Sequence, residues 1–203
     1  MEQTQTAQAP LSEALKSHTS GTHERLDRRI MEFEPFGAIE RYLPFLRMQL
    51  RLNYATASLY QREQLKQWLP DLEQRGRLEP ILQDCADLSL PDEQIECDRQ
   101  QAADSHPISD AEAIGWLYAH QGSSLGAAIL LRHAKKDLGL SEEKGARHLA
   151  GHADGRGRHW LNFKQQLDAL PLSDEQRGEA MKGAENALAF VFANAETLMP
   201  LEL

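Results

Sequence analysis

Leu11, Leu15, Thr22, Leu26 and Ile30 recur at helical spacing and mark one face of a helix ending near Glu32. Glu34-Pro35-Phe36-Gly37 then reads as a turn. A second helix is expected over roughly 37–62, with Ile39, Leu43, Leu46, Leu50 and Tyr54 inside and Pro44 near its first turns or bending it. A shorter helical stretch over about 63–85 is broken near Pro70 and Gly76. Leu88 to Asp92 is a loop, and residues 93–105 are polar without a clear period. Ser109-Asp110-Ala111-Glu112 is a capping-box pattern that opens a long helix to about Lys136. Another helical piece is expected over 141–150, then a glycine-rich connection from Gly151 to Gly157 and a helix over about 158–169. A second capping box, Ser173-Asp174-Glu175-Gln176, opens the last helix, which runs to about Leu198. No strand or hairpin signal, internal repeat or linker competes with this all-α reading. Residues 1–10 read as a disordered lead-in to one domain over 11–203.

Composition supports the helices, because Leu, Ala, Glu, Gln and Arg recur while Val is nearly absent. The net charge of -9 makes the chain a poor partner for nucleic acid or an anionic membrane surface. No apolar run is long enough to span a bilayer, and Met1 to Pro10 lacks the features of a signal peptide. Cys85 and Cys97 are not in a metal or redox spacing and read as reduced thiols in polar, loop-like surroundings, which fits a cytoplasmic location. A monomer is the default expectation.

Candidate chemistry concentrates in two helices. Gly122 and Gly126 stand four residues apart in the long helix, followed by Ala127 and Ala128. Each glycine costs a helix interior about 1 kcal/mol relative to alanine. Two readings remain open: close helix–helix packing, or backbone exposed to a flat ligand. Ser123 and Ser124 can compete for backbone hydrogen bonds, which favours a bend there. In the first helix, His23 lies at the edge of the apolar stripe. It is a packed or surface residue, or a ligand. Asp27, four residues on, could hold one ring nitrogen and so orient the other. Arg25, Arg28 and Arg29 form a basic cluster, either a solvated face or a docking site for an acidic partner. His18, His106, His120, His133, His148, His152 and His159 complete the histidines. His148 and His152 are at i, i+4 spacing, which could in principle bind a metal, but residues near a glycine-rich turn are the simpler reading. His120 and Gln121 are near the paired glycines and could face away from any ligand.

Leu11-Ser12-Glu13-Ala14-Leu15-Lys16 with Thr22-His23 resembles the proximal helix of heme oxygenases. Gly122-Ser123-Ser124-Leu125-Gly126-Ala127-Ala128 resembles their distal helix in its bacterial form, and Gly145-Ala146-Arg147-His148-Leu149 is similar to the same branch. The resemblance runs from about Leu11 to Leu198. It implies a single-domain helical bundle holding heme b between the first helix and a kinked distal helix. It implies cleavage of heme by O2 and electrons to biliverdin, ferrous iron and carbon monoxide. His23 matches the iron ligand and Gly122, Ser123 and Gly126 the distal stretch. Lys16, Tyr118 and Lys164 match propionate-contacting positions. A neutral imidazole pushes less electron density onto iron than a thiolate does. Ser123 stands where some members carry a carboxylate that organises distal water, so that water must be anchored by other groups. Lys16 fits opening at the α position, while the lysines of members opening at β and δ are matched by Met31 and His133. The implied electron donor is a ferredoxin or a flavoprotein reductase, and a bacteriophytochrome could take up the biliverdin. Iron acquisition is equally compatible. Rival readings are a heme carrier without turnover and a non-heme enzyme on the same scaffold, thiamine-degrading or di-iron.

Overall fold

A computed structural model of the chain describes residues 9–105 and 107–201. Among the described residues eight α-helices follow one another: α1 (Leu11–Glu32), α2 (Ile39–Ala57), α3 (Glu63–Trp68), α4 (Leu78–Asp87), α5 (Asp92–Ala103), α6 (Asp110–Leu138), α7 (Arg156–Asp168) and α8 (Asp174–Leu198). Short 3₁₀ turns lie at Ser58–Gln61, Leu72–Arg75 and Arg147–Leu149. Among the described residues the only extended pairing is an isolated bridge of Ser141 with Lys144 and Gly145. Residues 1–8 of the expected lead-in, and His106, lie outside the described residues. No described helix is long and apolar enough to cross a membrane.

The expected helix ends follow from their caps. Ser109 accepts a hydrogen bond from the Glu112 amide at 3.0 Å, but Glu112 turns its carboxylate to the Ile108 amide instead of closing a reciprocal box. The Ser173 box is complete, with Gln176 N donating to Ser173 Oγ at 3.2 Å and Ser173 N donating to Gln176 Oε1 at 2.9 Å. Gly139 ends α6 in the left-handed region that favours glycine, at φ 67°. Helix α1 follows Pro10 and has no cap from its own side chains. Asp168, at the end of α7, takes both the Ser12 amide (2.7 Å) and the Ser12 hydroxyl (2.9 Å). A carboxylate at a helix N-terminus satisfies orphan donors and complements the helix dipole.

Two segments depart from the pattern-based expectation. The polar stretch 93–105 is helical as far as Ala103, and its buried positions, Asp98 and Ala102, carry no apolar period that would announce it. Asp98 is fully buried and bonded by Arg47 and Arg51 from α2, and Arg51 continues to Asn194 of α8 at 2.8 Å. The stretch 141–150 is not a helix. Gly145 turns the chain at φ 76°, and Asp84 of α4 captures the Arg147 and His148 amides, each at 2.9 Å. Side chains thus take the backbone groups that a helix would have used. Cys85 is also not in a polar loop: it is buried in α4, and burial pushes its thiol up to about 12. Cys97 is exposed on α5.

The core is layered around α6 and α8, whose backbones touch. A Cβ on Gly115 would run into the Ala180 carbonyl oxygen and the Ala184 amide. A Cβ on Gly183 would run into the Glu112 carbonyl oxygen. Helices α1 and α2 both pack on α8, and Leu15, Leu26, Ile30, Leu46 and Leu50 are buried in the shared core. Gly183→Ala should therefore destabilise the protein by about 1–3 kcal/mol or more, as an overpacked core position does. Gly178→Ala, exposed on the same helix with nothing near its Cβ, should be neutral or stabilising by about 0.5–1 kcal/mol. Thermal melts of both variants check this pair, and equal melting temperatures would refute the backbone-contact argument.

Candidate functional site

A cavity of about 760 Å³ lies between α1 and α6, closed by α2, α7 and the 3₁₀ turn at Arg147–Leu149. His23, Asp27, Lys16, Tyr118, Gly122, Ser123, Gly126 and Lys164 all line it. Residues spread from position 16 to 164 thus meet in one space of the size that binds a cofactor.

On the α1 side, His23 is half-exposed and its Nδ1 lies 3.2 Å from Asp27 Oδ2. The hydrogen bond with Asp27 raises the imidazole above its ordinary value, against a smaller opposing effect of burial. With Nδ1 turned to the carboxylate, Nε2 is the nitrogen left for a metal. Lys16 is exposed one side of the mouth, and Lys164 of α7 is half-buried. Neither meets a carboxylate among the described residues. Two uncompensated ammonium groups on one cavity suit a dianionic ligand edge.

On the α6 side, the two readings of the paired glycines separate. The glycines that mediate close helix packing are Gly115 and Gly183. Gly126 instead has open space where a Cβ would stand, and a Cβ on Gly122 would meet only the Trp160 ring, at 3.4 Å. Helix α6 remains helical through this stretch, and Ser123 Oγ donates to the His120 carbonyl at 2.7 Å. The expected competition for backbone bonds is present, and the helix is uninterrupted. Trp160, Gln49, Asn53, Arg77, His148 and Arg156 also line the cavity, and no spacing in the sequence points to them as cavity residues. They come from four different segments, so no local pattern could have grouped them.

His120 and Gln121 do not face away; both are buried and line the cavity. Tyr60 OH lies 2.6 Å from His120 Nδ1 and accepts from Gln121 Nε2 at 2.8 Å. Burial pushes His120 down to about 4, with a smaller contribution from Arg77. A neutral ring with its Nδ1 on a phenol is a poor acid at ordinary pH. Arg75 is the hub beneath: it bonds Asp71 at 2.7 Å and His159 Nε2 at 2.8 Å, its carbonyl accepts from Gln121, and its guanidinium covers the Phe163 ring. Arg29 departs from the expected basic face of α1. It is buried on Glu196 and the Met199 carbonyl, while Arg25 and Arg28 are exposed. His148 and His152 are not on one helix, and no three metal-ligating side chains cluster among the described residues.

Comparison with known proteins gives the family and the fold. The family model described as heme oxygenase matches residues 9–196. Heme oxygenase PigA of Pseudomonas aeruginosa is 35% identical over 176 residues, covering 87% of this chain and 86% of its own. The NO- and CO-bound heme oxygenase of Neisseria meningitidis superposes with a TM-score of 0.83 at 35% identity, over 96% of this chain and 94% of that one. Heme oxygenase-1 of the cyanobacterium Synechocystis, solved with heme, shares the fold at 17% identity and a TM-score of 0.71, over 94% and 92% of the two chains.

Buried His120 and half-buried His159 make stability depend on pH. His120 and His159 are both pushed down from 6.5 to about 4, chiefly by burial. Between pH 6.5 and about 4 the unfolded chain takes up protons that the folded chain refuses. Stability is therefore complete above pH 6.5 and falls as the pH drops through that window. His120 alone should contribute on the order of 3 kcal/mol to the change. Melting temperatures across this window should fall more gently for His120→Gln than for the wild type, and parallel curves would count against the buried neutral imidazole.

Proposed function

The chain belongs to the heme oxygenase family, and within that family we propose that it holds heme b in the α1–α6 cavity with His23 Nε2 on the iron. The reaction is oxidative opening of heme to biliverdin, ferrous iron and carbon monoxide. The observation that carries the site assignment is that eight residues expected from separate motifs line a single cavity of about 760 Å³.

The residues present fit the group. A flat macrocycle needs a slot without bulk on one face and a nitrogen ligand on the other. Gly126 has open space in place of a side chain, and His23 stands opposite on α1 with Asp27 on its second nitrogen. Heme, when bound, supplies both the iron that activates oxygen and the ring that is opened. Asp27 fixes the tautomer of His23. Lys16, Tyr118 and Lys164 anchor the propionates and so fix the in-plane rotation. Gly122, Ser123 and Gly126 leave room above the ring and place no strong acid there. His120 is buried and neutral, so protons reach the site through water.

Opening at the α position is the regiochemistry this anchor set supports. Met31 offers no charge, and His133 is paired with Asp137 at 3.1 Å and stacked on Phe36. Electrons would come from a ferredoxin or a flavoprotein reductase, with the exposed Arg25 and Arg28 as its contact. A bacteriophytochrome would be one acceptor for the biliverdin. The thiamine-degrading alternative is disfavoured by Cys85, which is buried away from the cavity lining with its thiol pushed up to about 12.

An absorbance titration with hemin tests the reading. The wild type should bind one hemin and, given reductant and oxygen, convert it to biliverdin. His23→Ala should lose the histidine-bound spectrum and at least about tenfold in turnover. Chromatography of the product should show the α isomer, and Lys16→Ala should mix the isomers. Binding without turnover would instead support a carrier, and mainly β or δ product would sink the Lys16 assignment.

A further inference from the structure

Helix α6 passes over the cavity on a stretch with little of its own to hold it. Gly126 has open space where a Cβ would stand, and a Cβ on Gly122 would meet only the Trp160 ring. Ser123, Leu125 and Gly126 are exposed. Ser123 Oγ is committed to the His120 carbonyl of its own helix, a back-bond that slightly loosens a helix. Glycine in a helix interior loosens it further. Among the described residues, a single hydrogen bond from elsewhere in the chain reaches residues 122–126: Arg156 Nη1 donates to the Ser124 carbonyl at 2.9 Å. The second terminal nitrogen of the same guanidinium, Nη2, donates to the Leu149 carbonyl.

Local needs do not explain this arginine. Arg156 is the first residue of α7, set there by Gly155 at φ 87°. A cation at that end opposes the helix dipole, and no acidic residue stands in the first turn to offset it. The side chain is half-buried and makes no ion pair among the described residues, and burial pulls its guanidinium below the ordinary value. Desolvating a guanidinium without a carboxylate is costly, so the two carbonyl bonds are what the placement achieves. Its stem lies across Gly151, where a Cβ would stand 3.3 Å from Arg156 Cγ. The far anchor is firm. Leu149 is buried at the end of the 3₁₀ turn whose Arg147 and His148 amides are held by Asp84 of α4. A planar fork of donors can serve both carbonyls at once, which an ammonium does less well.

We propose that Arg156 is a positioning residue that clamps the 122–126 stretch of α6 to the 147–149 turn, and so restricts the space over the heme to ligands as small as O2 and CO. The inference rests on the heme reading of the cavity. Arg156 acts through the Ser124 carbonyl, midway between Gly122 and Gly126, where one bond governs the height of both. The glycines make the room above the ring, and the guanidinium limits how much. Without it, the next hydrogen bonds that tie α6 to other segments lie at Gln121 and, beyond the stretch, only at Lys135, so the helix between them is free to rise.

Hydrogen–deuterium exchange of the hemin-free protein reads the clamp directly. Arg156→Met keeps the stem and removes the donors. Amides of residues 122–130 should exchange about tenfold faster in this variant, the size expected for one lost charge-assisted hydrogen bond, while α1 and α8 keep their wild-type rates. Arg156→Lys should fall between the two. Arg158→Met, exposed two residues further on, should match the wild type. The ferric hemin-loaded protein supplies the second readout. Affinity for imidazole should rise at least about fivefold in Arg156→Met, while affinity for the diatomic cyanide stays within about twofold, a split that general destabilisation would not produce. Unchanged exchange at 122–130 overturns the clamp. Faster exchange with an unmoved ratio of imidazole to cyanide affinity overturns the restriction on ligand size and leaves the heme reading standing. If Arg156→Met does not fold, Arg156→Lys carries both comparisons with smaller shifts in the same directions, and no shift in either overturns the proposal. Failure of the wild type to bind hemin overturns the heme reading and the restriction with it.

Discussion

The contact between the backbones of α6 and α8 is the constraint on which the rest of the structure depends. Gly115 and Gly183 bring the two helices closer than any side chain would allow. That approach seats the first half of α6 on α8, with Ile114 and Leu117 buried in the same core. The second half of the same helix, from Gly122 onward, extends over the cavity. Its position relative to α1 is therefore set by a contact two turns away, not by the cavity itself. One helix carries glycines for two reasons: at position 115 the neighbouring backbone fills the missing side chain's place, and at position 126 nothing does.

Helix α1 is clamped by polar bonds at both ends and packed on α8 along one face, which leaves its other face open. Asp168 fastens its N-terminus, and Arg29 fastens its last turns to Glu196 and the Met199 carbonyl. His23 sits between these anchors, half-exposed, with only Asp27 beside it. A ligand site needs a rigid element and an accessible side chain together. The polar clamps provide the first without covering the second. The far side of the cavity is organised differently. There Tyr60, Arg75 and Asp84 tie down His120, Gln121 and His148 through buried hydrogen bonds. Rings that could serve as acids are held neutral or turned to fixed partners, which leaves water as the adaptable component of the site.

Apolar periodicity and capping chemistry by themselves determine much of the fold. The boundaries of α6 and α8 are local matters of Ser109, Gly139 and Ser173, and the chain reads them locally. The motifs around His23 and Gly122 likewise carry the family resemblance within short windows. Other features were decided only by tertiary contacts. The helix at 92–103 has Asp98 at its core position, which looks solvent-facing until two arginines from α2 close on it. The stretch 141–150 has helix-forming residues, but Asp84 and Tyr42 take its amides and the Gly145 carbonyl. Arg29 looks like part of a basic surface until α8 covers it. The roles of Trp160, Asn53 and His148 are likewise invisible locally, because each faces the cavity only after α2, α7 and the 147–149 turn fold around it. The physical reason is the same throughout: caps and apolar stripes act within a few residues, whereas buried polar partners and cavity walls are set by segments far apart in the chain.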